Sequence, residues 1–237
     1  MTDRIARLLR VAGIAILTTS ALLSAQIPAA SAQQCPDVEV VFARGTSEPP
    51  GVGGVGQVFV DTLRSQVGTR SVDVYPVDYV ASSDFGDRVV FAQTVVDGIR
   101  DAGAHVEATA ANCPNTKIVI GGYSQGAVVA GYVTAAVIPD GVPAEYRSYL
   151  PNPMPPDVAN HVAAVVLFGK PSAQWLSEAG APPIVIGPLY VPKTIDLCAD
   201  GDTICNGAPL GGPTMAHAMY PMNGMVNQAA QFAAGRL

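Results

Sequence analysis

Residues 117–133, KIVIGGYSQGAVVAGYV, change character halfway along, and few folds accommodate that change. KIVI is short, apolar and β-branched like a buried strand, whereas QGAVVAGYV carries the small apolar residues of a packed helix. One turn joins them and places Ser124 between Gly122 and Gly126. A strand that reverses straight into a helix forces a strained backbone on the corner residue. Small residues two before and two after it let the neighbouring chain approach. A hydroxyl at that corner stands over the carboxyl end of a sheet, where open α/β sheets bind ligands. Ser124 therefore reads as a nucleophile candidate. The N–H of Gln125 points at the same spot, where unpaired amides and the helix dipole favour an oxyanion.

The rest of the chain repeats the alternation. VEVVFA (38–43), SVDVYPVDY (71–79), HVAAVVLFG (161–169) and VPKTIDLC (191–198) read as further strands. Helical spacing appears over 56–68, from 87 toward 114, and over 125–138 until Pro139. The closing segment, 215–237, also reads as helical. Strands alternating with helices predict an α/β fold: a central, mostly parallel sheet of about five strands with helices on both faces. GVGGVG (51–56) satisfies a dinucleotide-type glycine pattern, but RGTSEPP separates it from the strand, so it reads as a flexible loop at the mouth of the site. The proline-rich stretch 139–157 is a surface excursion and a candidate lid.

The chain begins with Arg4, Arg7 and Arg10, then an apolar run too short to span a bilayer comfortably, then Ala30-Ser31-Ala32. That pattern predicts a secretory signal over residues 1–32, leaving one catalytic domain over 33–237. Without the leader, ten basic residues face eighteen acidic ones, a net charge of −8. Scattered cations on an acidic chain exclude nucleic acid as a natural partner. The four cysteines suit an exported protein with disulfides. Cys198 and Cys205 bracket a short loop and read as one pair, which leaves Cys35 with Cys113. In the chain-entropy model the longer loop stabilises by about 4 kcal/mol. No cysteine pair has zinc spacing, and no metal or organic cofactor is called for.

A serine nucleophile needs a base, and the base needs an orienting acid, in the chain order Ser, Asp or Glu, His. His105 precedes Ser124 and reads as a surface residue; His161 begins an apolar strand. His217, in GGPTMAHAMY, leads into the last helical segment with acids upstream. Asp196, Asp200 and Asp202 all lie in or beside the Cys198–Cys205 loop, and spacing alone does not choose among them. The same loop invites comparison with a calcium site, but it lacks a distal glutamate at the proper spacing.

FARGT after the first strand, GGYSQG at the corner, CADGDTIC and AHAMY together resemble the cutinase family, and in particular its exported mycobacterial esterases. The resemblance spans the mature chain. It implies a small α/β-hydrolase with a Ser124–Asp202–His217 triad, and so selects Asp202. It also implies the Cys35–Cys113 and Cys198–Cys205 pairing, and places Thr46 beside Gln125 as the second oxyanion donor. The expected activity is hydrolysis of carboxylic esters of lipid or polyester type, with transient contact to lipid surfaces. Leu189, Tyr190, Val191, Leu210 and Met215 are expected at an apolar mouth. A shallow, open groove would favour acyl chains of about four to eight carbons. Three readings compete: an acetyl-polysaccharide esterase on the same fold, a serine peptidase, for which no pocket-forming pattern is visible, and a non-enzymatic surface-binding module.

Overall fold

The computed structural model describes residues 35–209 and 211–237; the expected leader and Leu210 lie outside the described residues. Five strands, β1 (Val38–Ala43), β2 (Val72–Pro76), β3 (Lys117–Tyr123), β4 (Val162–Phe168) and β5 (Thr194–Leu197), form one sheet. Their order is β2-β1-β3-β4-β5, with every neighbouring pair parallel. The helices are α1 (Gly53–Gln66), α2 (Arg88–Asn112), α3 (Gln125–Val133), α4 (Ala144–Arg147), α5 (Ala173–Glu178), α6 (Met215–Ala218) and α7 (Met225–Ala234).

The strands read as unbroken apolar runs because both faces of the sheet are covered. Successive side chains alternate between two cores. Val38, Val40 and Phe42 pack with Phe59 and Leu63 of α1 and Val226 and Ala229 of α7. Val41 and Ala43 pack with Val95 and Val106 of α2 and Val129 and Val133 of α3. On the first side Phe42, Phe59 and Phe168 meet with ring centroids 6.0–6.4 Å apart. The disulfide Cys35–Cys113 ties the chain before β1 to the end of α2, and Cys198–Cys205 closes the loop after β5.

The strand order reverses between β1 and β3, and a sheet of this order opens a crevice at the carboxyl ends of those two strands. Thr46 follows β1 and Ser124 follows β3, so both stand at that crevice.

Several local expectations change. Residues 53–56 are not a flexible loop but the first turn of α1. The Glu48 carboxylate accepts from the amides of Gly54 (2.7 Å) and Gly45 (2.6 Å), which holds that helix start. A Cβ on Gly56 would fall 2.6 Å from the Phe42 ring, so glycine lets the helix lie against β1. α3 stops at Val133 rather than near 138, because the Thr134 carbonyl turns to accept from Gly187 N–H instead. The closing segment is two helices, broken around Pro221 and at Gly224 (φ 87°). His105 is not a plain surface residue. Its Nε2 lies 3.0 Å from Glu39 Oε1 and its ring stacks on Tyr75 at 3.4 Å.

Candidate active site

Ser124 sits at φ 54°, ψ −116°, a left-handed corner that costs a non-glycine residue energy and persists only where neighbours enforce it. Its N–H donates to the Phe168 carbonyl (2.9 Å), and its own carbonyl accepts from the amides of Ala127 and Val128. The flanking glycines are dictated by contact. A Cβ on Gly122 would lie 2.1 Å from the Gly126 oxygen, and one on Gly126 would lie 1.9 Å from the Ala43 oxygen.

The structure brings His217 and Asp202 to this corner. His217 Nε2 lies 2.9 Å from Ser124 Oγ, and Nδ1 lies 2.9 and 3.0 Å from the two oxygens of Asp202. Asp202 is fully buried, which an ionised carboxylate tolerates only among donors. Beyond His217 it has two. The Ile204 amide donates to Oδ1 at 3.0 Å, and the Tyr220 hydroxyl donates to Oδ2 at 2.8 Å. With Nδ1–H directed at Asp202, Nε2 is left to accept the Ser124 proton. The other aspartates are elsewhere. Asp196 pairs with Lys170 at 3.2 Å, burial pushing its carboxyl up against the pull of that cation, and Asp200 is exposed. Gly169 (φ 56°) passes directly beside the His217–Asp202 pair. An added Cβ would stand 3.0 Å from His217 Cε1 and 3.1 Å from Asp202 Oδ2.

Three supporting residues escape the sequence reading. Tyr220, fully buried, accepts from the Ala199 amide (3.0 Å) while donating to Asp202. Burial raises its phenol well above the ordinary range, so it stays a donor. Tyr123, beside the serine, donates to the His217 carbonyl at 2.7 Å. Buried Arg44 donates to the carbonyls of Glu48 (2.9 Å), Val77 and Tyr79, and the Tyr79 hydroxyl donates back to the Arg44 carbonyl. That knot fixes the FARGT loop that carries Thr46. AHAMY, GGYSQG and FARGT contain these three residues, but nothing in their spacing states what they hold.

Thr46, Ser124, Gln125 and His217 all line one cavity of about 1640 Å³. It runs from the serine along α2, floored by Val128 and Tyr132 of α3 and walled opposite by residues 137–154 and 175–182. The shallow groove expected from sequence is corrected here, because residues 137–154 add a wall of their own. The expected mouth is corrected too. Leu189, Val191 and Met215 are exposed and Tyr190 is packed in the core, and none of the four lines this cavity. Leu210 lies outside the described residues.

A family model described as Cutinase matches residues 34–237. The chain is 60% identical over 173 residues to a probable carboxylesterase of Mycobacterium tuberculosis, Culp7, covering 73% of this chain and 89% of that one. It is 48% identical over 241 residues to the carboxylesterase Culp1 of the same organism, covering 100% and 98%. Among solved structures, a Trichoderma reesei cutinase in complex with a phosphonate inhibitor matches with TM-score 0.61 and 31% identity, covering 85% and 76%. The catalytic core of an acetyl xylan esterase from the same fungus matches with TM-score 0.65 and 24% identity, covering 86% and 100%, a likeness of fold alone.

Proposed function

The chain belongs to the cutinase family, and from that premise we propose that it is a secreted serine esterase acting through an acyl-enzyme on Ser124. The observation that carries this reading is the unbroken hydrogen-bond chain from Ser124 through His217 to buried Asp202. His217 Nε2 takes the Ser124 proton as Oγ attacks the ester carbonyl, and the carbonyl oxygen becomes an oxyanion facing the Gln125 amide and Thr46. The tetrahedral centre collapses, the C–O bond to the alcohol breaks, and His217 returns the proton to the leaving oxygen. Water then repeats the sequence on the acyl-enzyme and frees the acid. Asp202 holds the imidazole tautomer and stabilises the imidazolium between the steps.

The substrates are carboxylic esters whose acyl part is apolar; chains of four to eight carbons fill the stretch of groove nearest Ser124. An acetylated polysaccharide would need polar partners along most of the cleft, whereas most of this lining surface is apolar, with Gln93, Asp97, Arg100 and Asn152 set among it. Export follows from the leader over residues 1–32, leaving residues 33–237 as the catalytic domain, and the two disulfides suit an oxidising compartment.

The test is direct. Protein beginning at residue 33 should hydrolyse p-nitrophenyl butyrate and take up one fluorophosphonate, mapped to the peptide holding Ser124. Ser124→Ala should keep its circular dichroism spectrum and lose both properties, since removing a triad serine costs on the order of 10⁴ or more. Turnover by Ser124→Ala above about one per cent of wild type would overturn the reading.

A further inference from the structure

Among the described residues, three that are not glycine have a left-handed backbone: Ser47 (φ 60°), Ala81 (φ 51°) and Ser124 (φ 54°). Such corners cost energy and persist where neighbours enforce them. These three are joined through one short loop, between β2 and α2. The Ser47 amide donates to the Ala81 carbonyl at 2.8 Å. The next carbonyl, that of Ser82, accepts from Gln125 Nε2 at 3.1 Å. Two successive carbonyls therefore reach the residue after Thr46 and the residue after Ser124. Upstream in the same loop, Arg44 grips the carbonyls of Val77 and Tyr79, and Ala81 itself is buried. The amide of Gln125 does not serve stability well. Its side chain is buried, and its Oε1 has no partner in the protein. A buried acceptor without a donor loses hydration uncompensated. Turning the amide over gives no relief, because Oε1 would then face the Ser82 carbonyl, two acceptors together. An apolar side chain would fill the same space without that cost. What the amide alone supplies is the bond to Ser82.

We propose that Ala81 and Ser82 bracket the oxyanion hole, and that the Gln125 side chain is a positioning residue that closes the bracket. This role rests on the esterase reading and adds a residue to it. An oxyanion is stabilised only by donors that already stand about 2.7–3.1 Å from where it forms. The two donors, Thr46 and the Gln125 amide, come from different elements, the loop after β1 and the start of α3. Their spacing depends on what joins those elements above the sheet. The left-handed turn at Ala81 directs one carbonyl to the Thr46 loop, and the following carbonyl meets the Gln125 side chain. The Gln125 side chain touches no reacting atom. It acts through its own backbone N–H and, by way of Ser82, Ala81 and Ser47, through Thr46.

The experiment compares wild type with Gln125→Leu, Gln125→Met, Ala81→Gly and the Gln125→Leu, Ala81→Gly double variant. All keep every backbone amide. Active sites are counted by fluorophosphonate labelling run to completion, and folding is followed by melting temperature. Kinetics on p-nitrophenyl butyrate are measured across pH. A trifluoromethyl ketone, whose adduct with Ser124 places an oxyanion in the hole, serves as the inhibitor. The two Gln125 variants should lose about tenfold to a hundredfold in kcat with KM within about twofold, less than the ~10²–10³ that follows outright removal of an oxyanion donor. Ketone affinity should fall by the same factor as kcat/KM, because both report binding of the oxyanion. The pH profile should not move, since the triad is untouched, and the melting temperature should not drop. Ala81→Gly should lose less, and the double variant less than the product of the two losses, because both act on one bracket. Gln125 variants with kcat within about twofold of wild type would overturn the bracket, as would full multiplicativity in the double variant. So would unchanged ketone affinity, a displaced pH profile, or a drop in melting temperature that tracks the loss of activity. Wild type that neither hydrolyses the ester nor takes up fluorophosphonate would overturn the esterase reading, and the bracket with it.

Discussion

The two halves of the site are built on opposite principles. On the side of the acid and base, Asp202, His217 and Tyr220 are buried and every oxygen of Asp202 has a donor. On the other side, a cavity of about 1640 Å³ is lined mainly by apolar surface, with Gln93, Asp97, Arg100 and Asn152 set among it. The difference teaches where geometry matters. Proton transfer fails with small misplacement, so those groups are locked by hydrogen bonds and close packing. An acyl chain is held by contact area, which is non-directional, so its half can be open and tolerant.

Substitutions should separate the halves. The largest effect is expected inside the locked half. Asp202→Asn should lower kcat by about 10³–10⁴ by favouring the wrong imidazole tautomer. Asp200→Asn and Asp196→Asn should stay within a few-fold, as measured by steady-state kinetics with active sites counted by fluorophosphonate. A greater loss at Asp200 would move the acid by two residues and break the contrast.

Tyr220→Phe sharpens it. Removing the hydroxyl leaves Asp202 one donor short and costs about 1–3 kcal/mol at a buried charged group, roughly a factor of ten in kcat with KM unchanged. In an Asp202→Asn background the same change should cost little further, because Tyr220 acts through the carboxylate. Full additivity of the two losses would make Tyr220 a mere packing residue.

The smallest effect lies away from both halves, under α2. Burial pushes the Glu39 carboxyl up, but bonds from His105 and Thr109 outweigh it, and its pKa lies below the ordinary value. A depressed carboxyl stabilises the fold above its unfolded pKa, about 4.3, and that stability is lost as pH falls through the folded value. Glu39→Gln should therefore melt a few degrees below wild type at pH 6, the gap closing toward about pH 3. Unchanged esterase kinetics at pH 7 would mark this network as structural, whereas a large fall in kcat would tie it to the site.

The locked half was more legible than the open one. Strand–corner–helix patterning located β3, Ser124 and α3, because a left-handed corner flanked by close backbone contacts requires Gly122 and Gly126. His217 followed from chain order, whereas choosing Asp202 needed the family resemblance. The cavity was not legible. Its walls come from α2, from 137–154 and from 175–182, segments that read one by one as amphipathic helix, proline-rich surface and loop. Only their apposition makes a cavity, and apposition has no local signature. Tyr220 was missed for a similar reason. Its partner Asp202 lies 18 residues away, inside the loop that the Cys198–Cys205 disulfide closes.

The chain distance between nucleophile and base has a further consequence, one of timing. Ser124 and His217 are 93 residues apart in sequence, and His217 is held only after β5, the Cys198–Cys205 loop and Tyr220 are in place. Closing so long a stretch of chain costs entropy that local pairing does not. A growing or half-folded chain thus carries the serine long before it carries a base for it. Under the proposed mechanism activity requires that last segment, so a chain ending before His217 should neither hydrolyse esters nor take up fluorophosphonate.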